Sequence, residues 1–184
     1  MMASENEKII THISNFREVK RIPDVIKIFH KVQQQLPAKL IMVGEGPEKE
    51  YAEYLCNDLG ITEKVLFLGN SSEIDKILCF SDLFLLPSKT ESFGLAALEA
   101  MINGVPVISS NTGGIPEVNV QGVTGYLSDV GNIDEMSRNA LKILSDPLTH
   151  KKFKENARAE ALKFDIQNVV PLYEAIYQKA FAMA

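Results

Sequence analysis

The sequence predicts an α/β fold on a Rossmann-like, doubly wound parallel sheet of about six strands, and three observations carry that expectation. Short β-branched or leucine-rich runs alternate with longer segments of helical period, as in parallel strands buried on both faces and joined by helices. The intervening segments are long enough for right-handed βαβ crossovers. With 184 residues and 46% apolar content the chain can bury one sizeable core, so a single domain over residues 8–184 is expected.

The first strand is expected over residues 9–13, and a helix over 24–35 with Val25, Ile28, Phe29 and Val32 on one face. Strands at 39–43 and 64–68 flank a helix at 48–59, and a helix at 72–80 leads to a strand at 83–86. The run Asp82-Leu83-Phe84-Leu85-Leu86 reads as buried, and the helix formers of 93–102 follow it. Strands at 105–109 and 125–127 complete the sheet. Beyond Asp129 the strand pattern stops, leaving helices at 133–144, 149–163 and 168–181 separated by Asp146-Pro147 and Phe164-Asp165.

A formal charge of −5 and a pI near 5.3 argue against a nucleic-acid surface. No apolar run reaches the length of a membrane span, and Met1-Met2-Ala3-Ser4-Glu5-Asn6-Glu7 lacks the basic-then-apolar progression of a signal peptide. A cytoplasmic location is expected. Cys56 and Cys79 form no close-spaced motif and His12, His30 and His150 stand apart, so no metal-ligand set is expected and both thiols read as reduced packing residues.

Candidate chemistry falls in the loops after strands, where open α/β sheets bind ligands. The richest is Pro87-Ser88-Lys89-Thr90-Glu91-Ser92-Phe93-Gly94-Leu95, followed by Glu99 in a helix expected to begin near Phe93. Glu91 then lies beside the free N–H groups of Phe93, Gly94 and Leu95, which favour an anion. Glu99 lies about two turns into a helix apolar nearly all round, where a buried carboxylate calls for a ligand partner. The alternative is that Glu91 only complements the helix dipole while Glu99 is solvated.

Ser14-Asn15-Phe16-Arg17-Glu18-Val19-Lys20-Arg21 puts three cations within five residues, suited to a diphosphate or simply to a solvated turn. Val43-Gly44-Glu45-Gly46-Pro47-Glu48-Lys49 begins like a dinucleotide fingerprint but carries Lys49 at the last glycine, so it reads as a structural turn. In Ser110-Asn111-Thr112-Gly113-Gly114-Ile115-Pro116-Glu117 the paired glycines either admit a ligand or make the bend. Gly122 to Leu127 is a turn into the last strand, and Asn70-Ser71-Ser72 reads as the cap of the next helix.

Glu91 to Glu99, with Phe93-Gly94 between them, resembles the paired-glutamate motif of retaining GT-B glycosyltransferases of family 4. Val43-Gly44-Glu45-Gly46-Pro47, Val65-Leu66-Phe67-Leu68-Gly69, Gly104-Val105-Pro106-Val107-Ile108, Gly113-Gly114-Ile115-Pro116-Glu117-Val118 and Gly122 to Leu127 resemble that family in its usual order, and coverage runs over residues 9–177. The loop from Ile13 to Arg21 is similar to the bacterial subgroup that opens bacillithiol formation by moving N-acetylglucosamine from a UDP donor to L-malate. Asn15 stands where most relatives carry arginine, a departure shared with that subgroup.

The resemblance implies the C-terminal, donor-binding half of a GT-B enzyme with extra C-terminal helices. An N-terminal acceptor domain would then be missing, and the length, Met1-Met2 and a start just before the first strand suggest an excised half or a stand-alone form. The resemblance assigns Glu91, Lys20 and Arg17 to catalysis, with Arg17 and Lys20 neutralising charge on the UDP leaving group. It assigns Asn15, Leu68, Ser92, Phe93, Gly94, Leu95 and Glu99 to the UDP-sugar, Glu99 taking the ribose hydroxyls and the three N–H groups the β-phosphate. No metal and no cofactor beyond the UDP-sugar substrate is implied, and the isolated domain is expected to be inactive. The last helix would carry an apolar face able to pair with a second copy, giving a homodimer. The alternatives are another saccharide or lipid acceptor, a non-catalytic nucleotide-sugar module, and a dinucleotide domain of oxidoreductase type.

Overall fold

The computed structural model describes residues 7–182. Strands β1 (Lys8–Ile13), β2 (Ala38–Val43), β3 (Val65–Gly69), β4 (Leu83–Leu86), β5 (Val107–Ser110) and β6 (Gly125–Ser128) form one sheet in the order β3-β2-β1-β4-β5-β6. Every pairing is parallel. The chain winds outward from β1 to β3, then returns beside β1 and winds the other way. The loops leaving β1 and β4 therefore part in opposite directions, and the crevice between them is where such sheets take ligands.

Helices α1 (Ile22–Gln33), α2 (Lys49–Asp58) and α6 (Ile133–Leu144) supply one core cluster. Ile10, Leu40, Leu83, Leu85 and Ile108 of the strands point into it, in register with one another. Helices α3 (Ile74–Cys79), α4 (Leu95–Ile102) and α5 (Ile115–Val118) cover the opposite face through Leu78, Ala97, Met101 and Ile115, packed on Phe84, Leu86 and Val107. Helix α7 (Pro147–Ala161) joins the two clusters, with Phe153 in the first and Ala157 and Ala161 in the second. Each fully buried Leu, Ile or Phe contributes roughly 1.5–3 kcal/mol, so the two clusters hold the strand ends rigidly.

All expected strands form, with ends shifted by at most two residues. Some expected details are corrected. Helix α4 starts at Leu95 rather than near Phe93, because Gly94 takes a left-handed φ of 93° that stops the helix from extending back. Helix α3 starts at Ile74, and Ser71 Oγ accepts from the Glu73 N–H in the preceding turn instead of capping the helix. Cys56 is buried, whereas Cys79 is exposed with its Sγ toward Asn103 Oδ1, so only one thiol is a packing residue. Burial pushes the Cys56 thiol up to about 11.

Helix α8 (Ile166–Ala182) follows the 3-10 turn Leu162–Phe164 and leaves Ile166, Leu172, Tyr173, Ile176, Tyr177 and Phe181 exposed. No described helix is long and apolar enough to cross a membrane.

Candidate functional site

The first loop of the crevice follows β1 and contains a 3-10 turn, Glu18–Lys20, closed by Arg21 in a left-handed conformation at φ 53°. Arg21 also precedes the first residue of α1, and its Nε donates to Asp24 Oδ2. That bond takes Arg21 out of the expected trio of cations. Lys20 turns the other way, and Arg17 is exposed, with no side-chain partner among the described residues.

The second loop follows β4. Glu91 meets Lys20 across the crevice, with Lys20 Nζ donating to Glu91 Oε2 at 2.6 Å. Their side chains are 16% and 19% exposed respectively. Buried Ser88 donates its hydroxyl to the same oxygen at 3.4 Å, and the Lys89 N–H donates to the Val19 carbonyl at 2.8 Å, tying the loops together through their backbones. Lys20, Thr90, Glu91, Ser92, Thr112 and Gly113 line a cleft of about 400 Å³.

Two glycine turns brace these loops from behind. A Cβ at Gly113 would lie 1.7 Å from the Glu91 carbonyl oxygen, and one at Gly114 would lie 2.4 Å from that of Ser92. The approach lets the Gly114 N–H donate to the Glu91 carbonyl at 3.2 Å. On the other side a Cβ at Gly44 would lie 1.8 Å from the Ser14 carbonyl oxygen, and one at Gly46 would lie 2.5 Å from that of Phe16. There the Phe16 N–H reaches the Glu45 carbonyl at 2.9 Å, so this turn is structural, as expected. Lys49 pairs with Glu45 at 2.7 Å rather than facing the cleft.

Beneath the first loop, His12 is fully buried. Its Nδ1 must donate to the Leu85 carbonyl at 2.8 Å, so its Nε2 accepts the Ser14 hydroxyl at 2.7 Å. Burial, aided by the charge of Lys20 and opposed by the Leu85 bond, lowers its pKa to about 4. The ring is therefore neutral at pH 7, and its tautomer is fixed by its two partners.

At the start of α4, the N–H groups of Phe93, Gly94 and Leu95 have no acceptor within the described chain. They form an electropositive edge next to Glu91. The Phe93 ring turns inward, edge-on to Phe164 at 5.7 Å, so only its backbone faces the loop. Glu99 lies just past the first turn of α4 and is exposed, which corrects the expectation of a buried carboxylate two turns in. Ala97, Ala100 and Met101 take the buried face, leaving Leu95, Glu99 and Ile102 on the open one.

The fold thus gathers Lys20, Glu91 and Ser92 around one cleft, and Phe93, Gly94 and Leu95 follow Ser92 in the chain without lining it. Asn15 is exposed on the β1 loop. Leu68 stands apart from the cleft lining, 41% exposed on edge strand β3. Ser88, Thr90, Thr112, His12 and Ser14 were not singled out from the sequence. A polar residue two positions after the apolar run of β4 was the available signal for Ser88, whereas the others are ordinary residues until folding brings them together. Among the described residues no three His, Cys, Asp or Glu side chains gather where a metal could be held.

The chain matches the family described as glycosyl transferases group 1 over residues 2–160. It is 46% identical to N-acetyl-alpha-D-glucosaminyl L-malate synthase of Bacillus anthracis, over 95% of this chain and 46% of that protein. Among solved structures, Anabaena HepE in complex with UDP and glucose superposes with a TM-score of 0.82 at 28% identity, over 96% of this chain and 49% of that one. Sucrose-phosphate synthase from Thermosynechococcus elongatus superposes at 0.85 with 25% identity, over 97% and 46%. The chain spans just under half the length of each of these relatives.

Proposed function

The chain belongs to the group 1 glycosyl transferases, and on that premise we propose that residues 8–184 form a nucleotide-sugar donor domain. The proposed donor is UDP-N-acetylglucosamine and the proposed acceptor L-malate, the latter bound mainly by a further domain. The observation that carries the reading is the Lys20–Glu91 pair across the switch point, next to three unengaged N–H groups at the start of α4.

In this reading those N–H groups receive the β-phosphate, and Lys20 with exposed Arg17 neutralises the charge that grows there as the sugar leaves. Glu91 holds the sugar through its hydroxyls. Glu99, open on the next turn of α4, accepts both ribose hydroxyls, with Asn15, Leu68 and Ser92 completing the donor contacts. Transfer with retention then runs on one face of the sugar. The bond from C1 to the β-phosphate oxygen breaks as the acceptor hydroxyl forms its bond to C1, and the acceptor proton passes to the leaving phosphate. The chain contributes electrostatic positioning and no nucleophile. The proposed homodimer would form on the exposed face of α8.

Calorimetry tests this. The chain is expected to bind UDP, to bind it about tenfold more weakly after Glu99→Ala or Lys20→Ala, and to respond little to NAD. The chain alone is expected to give no transfer from UDP-N-acetylglucosamine to malate. Binding of NAD without UDP would overturn the donor reading, and turnover by the chain alone would overturn the need for a further acceptor domain.

A further inference from the structure

Resting on that donor reading, we infer that the Lys20–Glu91 ion pair is a selector that favours an intact nucleotide-sugar over the spent nucleoside diphosphate. Each charge of the pair satisfies the other at 2.6 Å, with both side chains less than one-fifth exposed. Charges this dry compensate one another's lost hydration, and drawing one away leaves the other stranded.

The two partners are not equally free to move. Glu91 is held by the close approach of Gly113 to its carbonyl, by the Gly114 N–H bond and by the Ser88 hydroxyl on the same Oε2 that Lys20 meets. Lys20 reaches the pair along a four-carbon stem. A phosphate entering the cleft therefore draws Lys20 off and leaves the Glu91 carboxylate without its counter-charge.

What happens next depends on the rest of the ligand. A nucleoside diphosphate offers Glu91 nothing in exchange, so part of its attraction to Lys20 is spent on breaking the pair. A sugar offers hydroxyl donors, which take the place of the ammonium on the carboxylate. Arg17 is exposed and makes no ion pair among the described residues, so it can meet phosphates without this opposition. One ion pair thus couples the two ends of the donor, and discrimination is the difference between the two binding energies. Once the sugar has left, re-formation of the pair favours release of the diphosphate.

The test is calorimetry of the full chain with UDP and with UDP-N-acetylglucosamine. Glu91→Gln is expected to tighten UDP about fivefold, because Lys20 no longer has a competing anion. The same change is expected to weaken UDP-N-acetylglucosamine about tenfold, because the sugar loses its acceptor. Glu91→Ala serves as a second variant with the same two signs. In a Lys20→Met background, Glu91→Gln is expected to leave UDP affinity unchanged. If Glu91→Gln fails to tighten UDP, the selector is wrong. If the gain persists without Lys20, simple repulsion between Glu91 and phosphate explains it and the selector is again wrong. Failure of the unaltered chain to bind UDP would instead overturn the donor reading on which the inference rests.

Discussion

The two glycine turns behind the cleft look different in sequence and do the same work in the fold. Gly44-Glu45-Gly46 lies after β2 and starts like a nucleotide fingerprint, whereas Gly113-Gly114 lies after β5. Each lets its loop approach the neighbouring backbone more closely than a Cβ would allow, the first at Ser14 and Phe16, the second at Glu91 and Ser92. Each therefore braces one of the two loops that carry Lys20 and Glu91. They differ in exposure to ligand, since Gly113 also lines the cleft, and in chemistry, since the loop on the Gly44 side rests on a neutral buried histidine. A glycine-rich turn at a strand end can thus serve a ligand site indirectly, by admitting another loop.

The largest expected effect tests that equivalence. Gly113→Ala and Gly44→Ala each combine a left-handed φ with a Cβ contact below 2 Å, and each is expected to destabilise by about 4 kcal/mol in denaturant unfolding. A much smaller loss at Gly44 would break the comparison and reduce that turn to a simple bend.

Acid should separate the two sides. The pKa of His12 is about 4 in the fold against 6.5 for the free side chain. Between those values the unfolded chain binds the extra proton, so this contribution is intact above pH 6.5 and is lost as pH falls toward 4. The loss is expected to be on the order of 3 kcal/mol, and His12→Asn should flatten the difference between unfolding curves at pH 6.5 and pH 4. Equal slopes for the two chains would remove His12 as the acid-sensitive support.

The smallest effect calibrates the first. Gly122 has φ 72° with nothing within 4 Å of a Cβ, so Gly122→Ala carries strain without a clash and is expected to cost about 1 kcal/mol. A cost matching that of Gly113→Ala would mean that close approach contributes nothing.

Strand positions were legible because parallel strands must be apolar on both faces, and Leu83–Leu86 satisfies that rule without exception. Glu91 was legible too, because a carboxylate after such a run falls at a strand end by necessity. Helix α4 was misread in depth. Leu-Ala-Ala-Leu-Glu-Ala-Met-Ile is apolar around most of its circumference, so periodicity could not tell which face packs, and the neighbours chose Ala97, Ala100 and Met101. The cation cluster was misread for a similar reason. Three cations within five residues look alike in sequence, but the left-handed Arg21 sends its side chain to Asp24 while Lys20 reaches Glu91.

By itself the sequence determined the alternating architecture, the loops that would carry chemistry and the family motifs within them, because these follow from local periodicity and residue type. Tertiary structure decided which side chains meet. Lys20 and Glu91 are 71 residues apart and touch only because the strand order reverses between β1 and β4. The glycines brace those loops only because neighbouring strands bring foreign backbone to within a Cβ of them. Such contacts depend on long-range packing, which no local pattern encodes.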